Sequence, residues 1–324
     1  MIIIKKNYMV ESGFTLLELM VALALGLLVS AAALQIFLTS QRSIASQQAL
    51  SSVQNDAIFG MESIVRDIRM ANLNANQPMI NDRVLHGGIV LSAFNYTSKR
   101  VEPANTVPDI TLDEALSDGA AGPSNLHDQS SDVLVIQYRN LQANRFNCEG
   151  REIPADTYVV QKYFLREDDN ERDDPNDPLS LACISATYTG DEPAEINLSG
   201  DGQIIIPRVD HFSVMLGVAI DGRNAACNAV AAADGALDCF GYISLDDYML
   251  LSAADKPQIV SVKVGALIRS TDRIASNNLF NKEKTYDVLN TSGAKLSEDA
   301  RNNRYMRQIV TQVVALRNGF GIER

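Results

Sequence analysis

The chain has 324 residues, a formal net charge of −12 and no tryptophan. An acidic protein with 6% aromatic residues lacks both a broad positive field and a stacking surface, so no direct nucleic-acid site is expected. The sequence also lacks G-x-S-x-G, a glycine-rich phosphate loop and H-E-x-x-H, so we expect no enzyme activity, no catalytic residue and no cofactor.

The first predicted element is an apolar helix over residues 14–38, which carries one charged residue, Glu18. At about 1.5 Å per residue this helix is roughly 37 Å long, enough to cross the roughly 30 Å hydrocarbon core of a membrane. A short leader, residues 1–13, precedes it and contains two lysines. The run could be a secretory signal cut near the alanines at 31–33, or an anchor that keeps its basic leader in the cytoplasm.

Glu18 favours a third interpretation, because a carboxylate in a membrane helix costs about 3 kcal/mol and therefore needs a partner. The sequence G-F-T-L-L-E-L from Gly13 resembles the class III signal of type IV pilins and type II secretion pseudopilins. This resemblance implies that a prepilin peptidase in the membrane cuts between Gly13 and Phe14 and methylates the amine of Phe14. It also implies that Glu18 neutralises such an amine, usually that of a neighbouring subunit, during filament assembly.

The helix is predicted to continue beyond the membrane as an amphipathic half over residues 39–76. Its apolar residues recur every three or four positions, which predicts one buried face. These residues are Leu50, Val53, Ala57, Met61, Ile64, Ile68 and Ala71. No proline interrupts the run before Pro78, and the asparagines at 72, 74 and 76 are predicted to end it.

Residues 77–324 are predicted to form a β-rich globular domain, because the pattern changes to alternation with a period of two. Strands are predicted over 84–92, 132–139, 157–165, 179–188, 203–206, 211–220, 258–269 and 306–316, and a short helix over 244–254. Residues 95–131 are rich in polar and turn-forming types and predict a long surface excursion. The order of elements predicts an α+β fold with the helix on one face of an antiparallel sheet, as the pilin resemblance also implies.

Three stretches resemble PilW-type minor pilins. Val209–Gly222 runs as a strand into a G-V-x-x-D-G turn, Ile259–Ser270 alternates and ends in Arg-Ser, and Val313–Asn318 is similar to that family's closing strand. The resemblance implies a minor pilin that starts out in the inner membrane with its globular domain in the periplasm, and then reaches the surface pilus (fimbrium).

In such a pilus the subunit would join other minor pilins and the major pilin at or near the tip. It would help to initiate pilus assembly and could present a tip adhesin, with consequences for adhesion, twitching motility or DNA uptake. One alternative is a minor pseudopilin of type II secretion. An alternative of another class is a membrane-anchored periplasmic enzyme or binding module.

Four cysteines, Cys148, Cys183, Cys227 and Cys239, lie in the part expected outside the cytoplasm. Their even number predicts two disulfides, and of the three connectivities we favour the sequential one. Zinc is the weaker alternative, because there is no C-x-x-C and the three histidines show no ligand spacing. The acidic run over residues 166–178 lacks the EF-hand order and predicts a solvated loop. No metal site is therefore predicted.

Overall fold

The computed structural model describes residues 13–99, 101, 107, 109–171, 178–220, 237, 239–252, 256–274 and 281–319. The helices are α1 (Leu16–Ile68), α2 (Leu245–Leu250) and α3 (Glu298–Asn302). The strands are β1 (Thr111–Asp113), β2 (Asp118–Gly122), β3 (Ser131–Asn140), β4 (Arg145–Phe146), β5 (Glu152–Ile153), β6 (Thr157–Glu167), β7 (Leu179–Tyr188), β8 (Glu195–Asn197), β9 (Gln203–Ile206), β10 (Val209–Ile220), β11 (Cys239–Ser244), β12 (Gln258–Arg273), β13 (Thr285–Val288), β14 (Thr291–Lys295) and β15 (Tyr305–Ala315). The chain divides into two compact units, Met1–Gln48 and Ala49–Arg324.

The first unit contains the apolar half of α1. Each side chain from Leu16 to Leu38 is exposed, because no other described element of this unit covers the helix. Among the described residues, α1 is the one helix that is long and apolar enough to cross a membrane. The sequence prediction of an apolar helix over 14–38 therefore agrees with the helix in the structure.

The second unit begins with the amphipathic half of α1. The predicted stripe is buried from Val53 to Ile68, at the spacing of three and four residues that places it on one helix face. The helix ends at Ile68, earlier than the predicted end within residues 72–76. Asn72 and Asn74 have φ angles of 64° and 55°, a left-handed conformation that a right-handed helix cannot contain.

Two antiparallel sheets form the centre of the second unit. One has five strands in the order β2-β3-β6-β7-β9, and the other has four in the order β11-β10-β12-β15. The buried stripe of α1 and one face of each sheet share a single apolar core, with Leu134 and Tyr163 from the first sheet and Phe212 from the second. The prediction of an α+β fold with α1 on antiparallel strands is confirmed.

The predicted surface excursion over residues 95–131 is largely wrong. Tyr96 and Ala115 are fully buried and pack against Val133 and Val135 of β3, and the stretch also contributes β1 and β2. Since neighbouring residues of a strand point to opposite faces, this packing covers the face of the five-stranded sheet that α1 leaves open. The sheet therefore lies between two apolar layers.

The strand predicted over 84–92 is also absent, and Ile89 forms one isolated bridge to Ile136 instead. The other predicted strands are present, most with ends shifted by a few residues, and the predicted helix over 244–254 corresponds to the shorter α2. The sequence did not indicate β11, the β13–β14 hairpin or α3.

Candidate assembly site

The first turn of α1 is closed by hydrogen bonds between Thr15 and Glu18. The backbone N–H and the hydroxyl of Thr15 both donate to Oε2 of Glu18, each at 3.1 Å. The backbone N–H of Glu18 donates back to the Thr15 hydroxyl at 3.3 Å. This is a capping box, a reciprocal arrangement that satisfies donors at a helix start. The pattern T-x-x-E was visible in the sequence, but we did not interpret it as a cap.

The capping box leaves half of the carboxylate open. Both bonds from Thr15 end on Oε2, and no described group donates to Oε1 of Glu18. Phe14, whose amine would become the new terminus after cleavage, is 89% exposed. The geometry thus orients Glu18 through its own chain and leaves Oε1 with capacity to accept a further hydrogen bond.

Other polar groups in the apolar half need no such donor. The hydroxyl of Ser30 donates to the carbonyl oxygen of Gly26 at 2.8 Å, and that of Thr39 donates to the carbonyl oxygen of Gln35 at 2.9 Å. Hydroxyls bonded to the preceding turn are tolerated in an apolar environment. Glu18 is the one Asp, Glu, Lys or Arg in residues 16–41, so it alone brings a charge into this segment.

A buried ionic cluster lies in the globular unit, where β10, β12 and β15 run side by side. Oδ1 of Asp210 accepts from Arg269 at 2.9 Å and from Asn125 at 2.9 Å, and Oδ2 accepts from Arg307 at 2.5 Å. Burial by itself raises the pKa of Asp210, but the two guanidinium groups hold this pKa below its ordinary value. Paired charges of this kind are tolerated inside a protein because each has its partner.

This cluster joins the parts of the sequence that resemble PilW-type proteins. Asp210 belongs to the stretch that starts at Val209, and Arg269 is the arginine of the Arg-Ser end of β12. The serine of the same pair, Ser270, accepts from the backbone N–H of Met306 at 3.1 Å. The Asp and the Arg-Ser pair therefore have a structural role, which is to tie β10, β12 and β15 to one another at a point where the pairing is irregular.

Two family models match the chain. The prokaryotic N-terminal methylation motif matches residues 9–34, and the type IV pilus-assembly protein W family matches residues 162–318. These matches support the assignment of the chain as a PilW-type pilin. The first match contains the capping box, and the second contains the whole Asp210 cluster apart from Asn125. Pilins of this family are structural proteins, and the methylation motif with its apolar helix indicates membrane anchoring and association with a pilus.

Other comparisons add little to the family assignment. No curated protein sequence matches the chain. Among solved structures, a type IV-like pilin from Thermus thermophilus aligns with 82% of this chain and 97% of its own length, at 11% identity and a TM-score of 0.33.

In this PilW-type pilin a disulfide joins Cys148 to Cys183, with the two Cα atoms 6.2 Å apart, as the sequential pairing predicts. The bond ties the turn between β4 and β5 to the centre of β7. Cys239 is also disulfide-bonded. Cys227 lies outside the described residues, so the pairing of Cys227 with Cys239 stays a prediction.

The histidines of the PilW-type pilin do not converge on a common site. Burial lowers the pKa of His86 and of His211 to about 4, so both are neutral at physiological pH. His86 stacks on Tyr158 with ring centroids 4.0 Å apart. No group of three or more His, Cys, Asp or Glu residues suited to a metal occurs in the described ranges. Residues 172–177 of the acidic run lie outside those ranges.

Proposed function

We propose that this PilW-type pilin is a minor subunit of a type IV pilus. The peptidase cuts between Gly13 and Phe14, and the methylated Phe14 amine and Glu18 then pair between neighbouring subunits. The observation that carries the proposal is the charge pattern of the apolar half of α1, where Glu18 stands alone and has an open carboxylate oxygen.

The energetics favour pairing between chains. A carboxylate at the centre of a membrane helix costs about 3 kcal/mol, which is an upper bound for Glu18 near the helix start, and a buried ammonium at Phe14 is also unfavourable without a partner. When the two meet in a filament, each charge gains a partner and a charge-assisted hydrogen bond. The capping box supports this step, because the bonds from Thr15 restrict the rotation of the Glu18 side chain before the partner arrives.

Before assembly the subunit would lie in the inner membrane through α1, with the globular unit in the periplasm. By family analogy it would join other minor pilins and the major pilin, start assembly and occupy a position at or near the tip. There it could present an adhesin and so act in adhesion, twitching motility or DNA uptake.

The mass of the mature amino terminus tests the processing step. Mass spectrometry of the chain purified from its own cells is expected to show N-methylated Phe14 as the first residue. Cleavage after Ala33, or an intact leader, would contradict the proposal and favour an ordinary signal or anchor.

Substitution of Glu18 tests the assembly step. Glu18→Gln and Glu18→Val should leave cleavage and membrane insertion intact and reduce the amount of subunit in sheared pili. The matched control is Glu62→Gln, which changes an exposed acid in the other half of the same helix and should not alter incorporation. Equal incorporation of all variants would show that no neighbouring amine depends on Glu18.

The phenotype of a deletion separates a pilus subunit from a pseudopilin of type II secretion. Loss of surface pili with normal protein export is the expected result. Loss of exported enzymes with normal pili would assign the chain to the secretion system.

A further inference from the structure

A groove of about 480 Å³ lies between the end of α1 and the β4–β5 hairpin. One wall is formed by residues of the segment 63–70, around the end of the helix, and the other by residues of the segment 144–150 of the hairpin. All these residues and their neighbours along the chain belong to the described ranges. The volume lies within the range of about 300–1,000 Å³ that is typical of ligand sites.

The hairpin wall is fixed to the five-stranded sheet. The disulfide between Cys148 and Cys183 ties its turn to the centre of β7. Next to this bond, Oε2 of Glu149 accepts a hydrogen bond from the backbone N–H of Ser185 at 3.0 Å. Both contacts are present before a partner binds, so the wall is already ordered and little conformational entropy is lost on binding.

Two arginines give the groove a positive charge. The guanidinium of Arg145 is exposed and has no hydrogen bond or ion pair with any described residue. The side chain of Arg66 is 74% exposed and lies 3.8 Å from Asp67, beyond hydrogen-bond distance. The nearest acid of the hairpin, Glu149, is already paired with Arg151 at 2.6 Å. Two arginines and one aspartate leave the groove with a net charge of +1, in a chain of net charge −12.

Exposed apolar side chains lie beside these charges. Phe146 is 65% exposed and follows Arg145 in the same wall, and Met70 lines the opposite wall. Leu141, which precedes the hairpin, is 52% exposed. Aromatic residues and arginines are the types that contribute most to binding at the centre of protein interfaces. The groove therefore offers one ligand an apolar contact and two cationic donors.

We propose that this groove binds a segment of a different pilus protein in which an apolar side chain lies next to a carboxylate. The carboxylate pairs with the guanidinium groups of Arg66 and Arg145, each of which can donate two parallel hydrogen bonds. The apolar side chain packs on Phe146. That the partner belongs to a pilus rests on the proposed function.

The charge and the apolar wall together favour a polypeptide. A nucleic acid binds mainly through many phosphate contacts, and a net charge of +1 at the groove does not offset the −12 of the chain. A small inorganic anion would pair with the arginines but would leave Phe146 exposed. An acidic segment with an apolar side chain satisfies both parts of the groove.

Photo-crosslinking of the full-length chain in its own cells tests the inference. Benzoylphenylalanine replaces Phe146, and mass spectrometry should map the product to a segment of another pilus protein that contains Asp or Glu. The matched control places the probe at Phe240, which is also 65% exposed but belongs to the four-stranded sheet, and should not give this product. Absence of the product, a product that joins two copies of this chain alone, or a product with a protein outside the pilus overturns the inference.

Charge variants in the chain that carries the probe test the pairing with a carboxylate. Arg145→Glu should reduce the product severalfold, whereas Arg145→Lys, which keeps the charge, should retain most of it. The control Arg83→Glu changes an exposed arginine outside the groove and should have no effect. Replacement of the mapped acid of the partner by Arg should restore the product of Arg145→Glu.

An unchanged yield from Arg145→Glu, or no recovery after the exchange of charges, overturns the inference. Equal melting temperatures of Arg145→Glu and Arg145→Lys exclude a folding defect. The amino-terminal mass, measured in the same cells, separates this inference from the proposed function. Methylated Phe14 without the product overturns only the inference about the groove, whereas an intact leader overturns the proposed function.

Discussion

The two halves of α1 have the same backbone conformation but different surroundings. In the first half Leu23 is 60% exposed, although the segment around it is almost wholly apolar. In the second half Ile64 is completely buried, and polar residues such as Glu62 occupy the outer face. Among the described residues, the helix has a core to pack against only from about residue 49 onward. The exposed apolar surface of the first half is the kind that a membrane-anchoring segment presents.

The largest difference between the halves is expected from truncation of apolar side chains. Ile64→Ala leaves a cavity in the core shared by α1 and both sheets, so the free energy of unfolding should fall by about 2–5 kcal/mol. Leu23→Ala removes a side chain that contacts no core and should not change the unfolding of the globular unit. Denaturant titration of the full-length chain in detergent measures both. Similar losses for the two variants would contradict the division of α1.

Two glycines of α1 give a smaller contrast. A Cβ atom on Gly60 would lie 2.2 Å from Cγ1 of Ile206, whereas one on Gly26 would have no atom within 4 Å. Overpacking costs about 1–3 kcal/mol and the gain in helix propensity from Gly to Ala is about 1 kcal/mol. Gly60→Ala should therefore lower the melting temperature of the globular unit, and Gly26→Ala should leave it unchanged. A raised melting temperature for Gly60→Ala would show that Ile206 moves aside at little cost.

Removal of the cap at the start of α1 should affect only the first turn of the helix. Thr15→Val removes the hydroxyl that both donates to and accepts from Glu18, and loss of such a cap costs about 0.5–2 kcal/mol. We expect faster hydrogen exchange at the amides of residues 16–18. The control, Thr39→Val, removes a hydroxyl bonded only to the preceding turn and should leave those amides unaffected.

The smallest effect is expected from a buried acid of the packed half. Burial raises the pKa of Asp67, although its Oδ2 accepts from the hydroxyl of Tyr163 at 2.9 Å. A raised pKa favours the protonated form in the folded state. Protonation of Asp67 therefore stabilises the folded state. This stabilisation is complete below the ordinary aspartate pKa and is lost as the pH rises through the higher pKa of Asp67 in the folded protein.

Asp67→Asn keeps an acceptor and removes the charge that burial disfavours, so at pH 7 it should raise the free energy of unfolding slightly. The difference from the parent chain should shrink toward acidic pH. Glu62→Gln, at an exposed site, is the control and should show no such trend. A constant difference at all pH values would mean that ionisation of Asp67 does not contribute.

The parts of the fold that were predictable are those encoded by short-range periodicity. The stripe of α1 and strands such as β3 and β7 repeat within a few residues, and the prepilin signal is one local motif. The end of α1 was not predictable in this way. The N–H of Asn72 donates to the carbonyl oxygen of Gln137, and its Oδ1 accepts from the N–H of Gly88, so distant residues determine where the helix stops.

Long-range contacts also explain why the sequence did not reveal the buried ionic cluster around Asp210 or the packing of residues 95–131. Asp210 lies 59 residues from Arg269 and 97 from Arg307, and nothing in the local sequence pairs them. Residues 95–131 were misjudged because their polar composition concealed the few apolar side chains, such as Tyr96, that cover the sheet. In contrast, Glu18 stood out because a charge in an apolar run is conspicuous without any structure.

The end of α1 is held by almost the last described residue of the chain. The side-chain amide of Asn318 donates to the carbonyl oxygens of Arg69 and Ala71. The backbone carbonyl oxygen of Asn318 accepts from the side-chain amide of Asn72, 246 residues earlier. Synthesis proceeds from the amino terminus, so α1 emerges first, but these three hydrogen bonds cannot form until residue 318 has been made. A newly made chain must therefore pass through a stage in which α1 is complete while its carboxyl end is not yet held in place.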